Sequence, residues 1–347
     1  MALHTPGQVA PLLLLLGMVV NFHIFIDAQA VGVCYGRVAV PGSLPSEEAT
    51  VNLYQQNGIT AMRIYDPNQA TLQALQGIDI ELMLDVPNSE LESLNNPVAA
   101  TTWVRNNIQN YPGVNFRYIA VGNEVDPNNN ATSDYVKLVL PAMRNVHQAI
   151  VDASLANQIK VSTATYTGLL ENSYPPSDGV FHENVKAFIE PIIAFLVQNN
   201  LPMLANIYPY FAAQGSMQVN LSYALLQPDA PVVNDNGIMY SNLFDAMLDA
   251  HYAAQAPFGG ENLEIVVSES GWPSCCDSIA TVENAGTYYR NLIGHVTQVG
   301  GTSAKPGKSI ETYQFAMFDE NIKDGDESEK HFGIFSPNQT PKYQVNF

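Results

Sequence analysis

Eight short runs rich in Val, Ile and Tyr recur along the chain: Val31–Gly36, Ala61–Asp66, Ile80–Pro87, Phe116–Glu124, Lys160–Tyr166, Met203–Phe211, Leu263–Gly271 and Glu311–Glu320. Their length and β-branched content suit strands buried on both faces. Segments with apolar residues at every third or fourth position lie between most of them. One opens with Pro45-Ser-Glu-Glu and closes at Asn57-Gly58; others are Thr101–Tyr111, Asp134–Leu155, Val185–Asn199, Ser241–Ala254 and Val282–Val299. Proline at the first turn and glycine just past the last are helix start and stop signals. Eight strands alternating with helices predict an α/β fold, a (β/α)8 TIM barrel. A doubly wound open sheet fits less well, because no glycine-rich phosphate loop follows the first run. No Pro/Gly/Ser-rich linker divides the chain, so one domain over 31–347 is expected. The longest interval, between runs six and seven, is expected to hold extra structure walling a cleft.

Residues 1–30 read as a secretory signal peptide. Pro11–Val20 is apolar, and Ala28-Gln29-Ala30 is a small-x-small cleavage pattern. The apolar run falls short of the roughly 20 residues that span a bilayer, so no membrane association is expected once it is removed. The n-region is atypical, since residues 1–30 contain neither Lys nor Arg. Three sequons, Asn130-Ala-Thr, Asn220-Leu-Ser and Asn338-Gln-Thr, fit a secreted glycoprotein. The last residues, Lys342–Phe347, carry no hydrophobic tail of the GPI kind. An extracellular place, in the apoplast or wall, is expected ahead of the vacuole.

Charge narrows the partners. Lys+Arg is 14 against 33 for Asp+Glu, a net charge of −19. Phosphate backbones need clustered cations, so nucleic acid is not an expected partner. Abundant Tyr and amides suit a neutral, hydroxyl-rich ligand. Three cysteines and seven histidines form no CxxC, HxH or HExxH pattern, so neither metal nor other cofactor is expected. A monomer is expected.

In barrels of this kind the chemistry sits at the C-terminal ends of the strands. Run four ends Tyr118-Ile-Ala-Val-Gly-Asn-Glu124. Strict alternation places Ala120, Gly122 and Glu124 on one face, toward the barrel axis. Run seven, Ile265-Val-Val-Ser-Glu-Ser-Gly271, carries Glu269 near its end. An unpaired buried carboxylate is costly, and two at the ends of two strands are what glycoside hydrolysis requires.

The stretch Ile265-Val-Val-Ser-Glu-Ser-Gly-Trp-Pro-Ser274 resembles the signature of glycoside hydrolase family 17, the plant β-1,3-glucanases and their relatives. The similarity spans nearly all of the mature chain, including Met62-Arg-Ile-Tyr-Asp-Pro-Asn-Gln69, Arg117–Glu124, Leu204-Ala-Asn-Ile-Tyr-Pro-Tyr-Phe211 and Phe315-Ala-Met-Phe-Asp-Glu-Asn321. The resemblance implies a TIM barrel with Glu124 as acid/base after strand four and Glu269 as nucleophile after strand seven. It implies that Asn123 bonds the sugar 2-hydroxyl and that Tyr208 stands beside the nucleophile. It also implies that Glu320, Lys323 and Glu329 form a charged group beyond strand eight. Aromatics at or just beyond strand ends are Tyr35, Tyr65, Tyr208, Phe211, Trp272, Phe318 and Phe332. Sugar faces stack on such rings. Tyr35, Tyr208, Phe211 and Phe318 are candidate substrate contacts, and Trp272 reads as core.

Two departures from the family stand out. Gly is usual two residues after Ser274, whereas this chain has Cys276, preceded by Cys275. A positive φ there strains Cys276, and a vicinal disulfide is open. Gly42-Ser-Leu-Pro45 stands where Asn-Asn-Leu-Pro is common. The expected activity is endo-hydrolysis of β-1,3-glucan with retention, acting in defence against fungal walls or in turnover of callose. Mixed-linkage 1,3;1,4-glucan hydrolysis and glucan transfer are the alternatives within enzymes. A non-catalytic glucan-binding protein is the alternative outside them, and the presence of both Glu124 and Glu269 argues against it.

Overall fold

The structure is a computed structural model that describes residues 31–216, 218–298 and 300–347. The proposed signal peptide lies outside the described residues. Eight parallel strands close into a barrel: β1 (Val31–Tyr35), β2 (Ala61–Ile64), β3 (Glu81–Val86), β4 (Asn115–Asn123), β5 (Lys160–Tyr166), β6 (Met203–Asn206), β7 (Ile265–Ser270) and β8 (Thr312–Phe315). Each expected run supplies one strand, and β8 pairs with β1 to complete the ring. These strands are buried throughout, which favours their apolar content and leaves the few polar side chains among them in need of partners. No helix among the described residues is long and apolar enough to cross a membrane.

Helices return the chain between strands. The first spans Glu47–Gln56; the Ser46 side chain caps it, accepting from Ala49 N at 3.2 Å, and Glu47 and Glu48 face its positive end. Gly58 leaves it at φ +70°, a conformation glycine adopts without steric cost. The other large helices cover Pro97–Val104, Val136–Asp152, Glu183–Gln198, Leu243–Gln255 and Val282–Gln298. The interval between β6 and β7 holds the extra structure expected of it. A short helix (Pro209–Gly215) is followed by a hairpin pairing Val233–Asp235 with Ile238–Tyr240.

Two strands depart from regular alternation, and both departures are at the site. The β4–β5 register shifts between Ala120 and Asn123, Gly122 sits at φ +80°, and Glu124 follows at φ +49°. A bulge re-aims the side chains beyond it, so Asn123 and Glu124 both reach the cleft. The strict alternation expected from the sequence therefore fails past Ala120. On β7 the pairing shifts between Val267 and Glu269 against β6; Ser268 Oγ donates to Asn206 Oδ1, and Glu269 Oε1 accepts from Arg63 Nη1.

Candidate active site

The strand ends deliver a connected polar cluster at the mouth of the barrel. Its centre is Arg63 on β2, with no solvent exposure. Its Nε and Nη2 fork onto the two oxygens of Asp85 at 3.1 and 2.7 Å. Nη1 donates to Glu269 Oε1 at 2.8 Å and Nη2 to Asn123 Oδ1 at 2.9 Å. Such a fork uses the fixed geometry of a guanidinium, which an ammonium cannot copy. Glu269 also accepts from Tyr65 OH and Tyr208 OH, each at 2.7 Å. Burial raises both tyrosines well above their usual range, so they stay protonated as donors.

Glu124 sits in a different environment. It accepts from Asn206 Nδ2 at 2.8 Å, and among the described residues it has no salt-bridge partner, whereas Arg63 pairs with Asp85 and Glu269. Burial first, and then the charge on Glu269, push its carboxyl up to about 7. Asn206 ties the two carboxyls together, because its Oδ1 accepts from Arg63 and from Ser268 Oγ. The main chain beside Glu124 is clamped at two points. Asn123 N donates to Asn88 Oδ1 and Asn88 Nδ2 donates to Asn123 O, both at 2.9 Å.

Two hollows meet at this cluster and share Glu124, Glu269, Phe315 and Lys323. One, of 470 Å³, runs past Tyr208, Phe211, Phe332 and Glu329 to Tyr166 and Met247. The other, of 710 Å³, runs past Tyr65, Asn123 and Glu320 to Arg37 and Asp66. A cleft with the carboxyl pair at its middle and open arms on both sides fits a chain passing through.

Most of the expected residues gather here. Lys323 lies 3.2 Å from Glu329 and 3.7 Å from Glu320, with its ammonium 4.4 Å from the Phe315 ring centre. Burial opposes its charge, but Glu320 and Glu329 outweigh it and raise its pKa. Glu320 is nearly buried and accepts from Val38 N at 3.2 Å. A Cβ on Gly36 would stand 2.1 Å from its Oε1, so only glycine leaves room there. Phe211 is 40% exposed on the cleft wall, against Tyr208.

Tyr35 and Phe318 do not reach the cleft. Each is 1% exposed, and they pack edge to face with centroids 6.1 Å apart. Both belong to the buried core, and neither lines either hollow. Trp272 is core as expected, with its indole N–H bonded to Ile279 O at 2.9 Å. Arg63, Asp85, Asn88 and Asn206 were not singled out from the sequence. A cation inside Ala61-Met-Arg-Ile64 was the available signal, since a charge in a buried strand needs partners.

The family model of glycosyl hydrolases family 17 matches residues 31–347. A glucan endo-1,3-beta-glucosidase of Vitis vinifera is 58% identical over 337 residues, 96% of each chain. An acidic isoform of the same enzyme from Nicotiana tabacum is 54% identical over 98% of each chain. Among solved structures, a β-1,3-glucanase and allergen of Cryptomeria japonica pollen superposes with a TM-score of 0.89 at 44% identity, covering 92% of this chain and 99% of the other. A match across the whole barrel, with the paired carboxyls at its mouth, places this chain in glycosyl hydrolases family 17, as a glycoside hydrolase.

Proposed function

We propose that the protein is a secreted endo-hydrolase of β-1,3-glucan that works by double displacement with retention. The observation that carries the mechanism is the unequal setting of the two carboxyls. Glu269 receives three donors, one of them cationic. That arrangement suits an anion that accepts and attacks. Glu124 is held at about 7 by burial and by the charge on Glu269, so it can carry a proton to the leaving oxygen. When Glu269 becomes a glycosyl ester its charge is gone, and the repulsion that raised Glu124 goes with it. Glu124 then accepts a proton from water, and a second inversion at the anomeric carbon restores the β-configuration. Asn123, Glu320 and Lys323 stand where they can bond sugar hydroxyls on one side of the pair. Tyr208 and Phe211 offer ring faces on the other.

The linkage preference rests on the names of the relatives and on the open cleft. Reducing-sugar release from a linear β-1,3-glucan is expected to exceed release from a mixed-linkage 1,3;1,4-glucan by roughly tenfold or more, the discrimination a few pocket contacts supply. Equal rates on both would favour the mixed-linkage reading.

The basic limb of the kcat/KM profile is expected near the pKa of about 7 held by Glu124. Activity requires the protonated form, so it falls as pH rises through that value. Glu269→Gln removes the neighbouring charge and is expected to lower the Glu124 pKa, read by carbon-13 NMR of the carboxyl. An unchanged value would show that burial alone sets it.

Secretion carries its own check. N-terminal sequencing of the protein made in its own cells is expected to start near residue 29 or 31. A start at Met1 would overturn it.

A further inference from the structure

Cys275 and Cys276 are joined in a disulfide on the loop that follows β7. We infer that this vicinal disulfide is a thiol–disulfide exchange site, taking a dithiol reductant, whose state sets the shape of the Phe211–Phe332 arm of the cleft. The inference rests on the proposed function only for its kinetic readout.

Three observations carry it. First, Cys276 holds φ at +82°, a conformation that an L residue rarely adopts. The bond to its neighbour closes a small ring around that residue, and opening the ring leaves nothing covalent to keep it there. Second, the loop is tied on both sides of Cys276 to the two segments that carry Phe211 and Phe332, whose rings pack together in one cleft arm with centroids 6.3 Å apart. Ser274 N and Oγ both donate to His331 O at 3.0 Å, and the next residue, Phe332, lines the arm. Asp277 Oδ2 accepts from Gln214 Nε2 at 2.7 Å, on the short helix that carries Phe211. Phe332 in turn packs 5.9 Å from Tyr208, which bonds Glu269. Third, Cys276 is an exposed residue, at a surface that a small dithiol can approach. The remaining cysteine, Cys34, is fully buried.

The step balances as an exchange. A thiolate of the dithiol attacks Cys276 Sγ, the S–S bond breaks, and Cys275 leaves as a thiolate and takes a proton. The second thiol of the reductant attacks the mixed disulfide and releases Cys276 as a thiol. Two electrons and two protons pass to the protein, and the reductant leaves as a cyclic disulfide. The loop then relaxes from the positive φ, and the ties at Ser274 and Asp277 loosen together.

The test uses the full protein with and without dithiothreitol. Alkylation and mass spectrometry are expected to count two new thiols in the folded protein, with Cys34 still protected. Hydrogen exchange is expected to quicken at the amides of Ser274 and Ile279, which bond His331 O and Asp277 Oδ1 in the oxidised form. KM for a long β-1,3-glucan oligomer is expected to rise at least about fivefold, the low end of coupling between separate sites. Removal of the dithiol and reoxidation should restore it. Phenylarsine oxide, which bridges paired thiols, should hold the reduced behaviour. Cys275→Ser/Cys276→Gly, with a glycine free to keep the positive φ, is expected to bind the oligomer normally and to ignore the reductant. No thiol release from folded protein, or release without faster exchange at Ser274 and Ile279, would overturn the inference. So would an unchanged KM in a protein that cleaves the oligomer. Failure to cleave β-1,3-glucan in either state would count against the proposed function, while the exchange rates would still decide the coupling.

Discussion

Glu269→Ala is expected to lose all measurable turnover on every glucan, a fall of roughly 10⁴–10⁶-fold, the scale seen when a covalent nucleophile is removed. No ester can form without it. Glu124→Ala is expected to lose about 10²–10⁴-fold on the polysaccharide, the usual contribution of a positioned acid/base. The two variants should part on an activated aryl glucoside. Its leaving group needs no proton, so Glu124→Ala still forms the ester and gives a burst of aryl alcohol. Slow hydrolysis follows, because no base activates the water. Stopped-flow absorbance reads the burst directly. Equal bursts from both variants would show that the roles have been assigned to the wrong residues.

Arg63→Met is expected to cost roughly 3–5 kcal/mol of stability, as breaking a buried pair does when it leaves charge without a partner. Here two carboxylates lose the same cation, since Arg63 bridges Asp85 and Glu269. Burial already raises Asp85 to about 6 against the pull of Arg63. Without that pull its folded pKa rises further above the unfolded value. The folded variant then binds more protons than the unfolded chain, and stability falls as pH rises. Urea unfolding should therefore show a large deficit at about pH 7 that narrows toward about pH 5. Arg63→Lys keeps a charge but cannot fork onto Asp85 while reaching Glu269 and Asn123. It should recover part of the stability and little of the activity. Wild-type stability in Arg63→Met at neutral pH would mean that the cluster contributes nothing to the fold.

The barrel was legible because its signal is repeated and local. Each of the eight runs is short and carries Val, Ile, Tyr or other large apolar residues, and Pro45–Gly58 carries its own start and stop residues. Glu124 and Glu269 were legible because a carboxylate at the end of a buried strand is out of place unless it has work. The residues that orient them were hidden for a physical reason. Arg63 sits on a four-residue strand, too short to show a period, and its partners come from β3, β4, β6 and β7. Asn206 was read as the middle of a longer strand ending at Phe211. The strand stops at Asn206, and Pro209 opens a helix at once. Tyr35 and Phe318 looked exposed because strand ends usually are. Their burial depends on contact between segments some 280 residues apart in sequence, which no local pattern encodes. The reach of Asn123 beside Glu124 depends on the β4 bulge, of which Gly122 was the one visible trace.

Azide tests the double displacement most directly, because it needs no deprotonation and its product records the face of attack. With an activated β-glucosyl donor, Glu124→Ala plus azide is expected to give the β-glycosyl azide, formed from the ester on Glu269. Glu269→Ala plus azide is expected to give the α-azide, since azide fills the vacated side and inverts the centre once. Proton NMR of the anomeric coupling distinguishes the two products. The same anomer from both variants, or an α-product from Glu124→Ala, would contradict the assignment of Glu269 as nucleophile and Glu124 as acid/base.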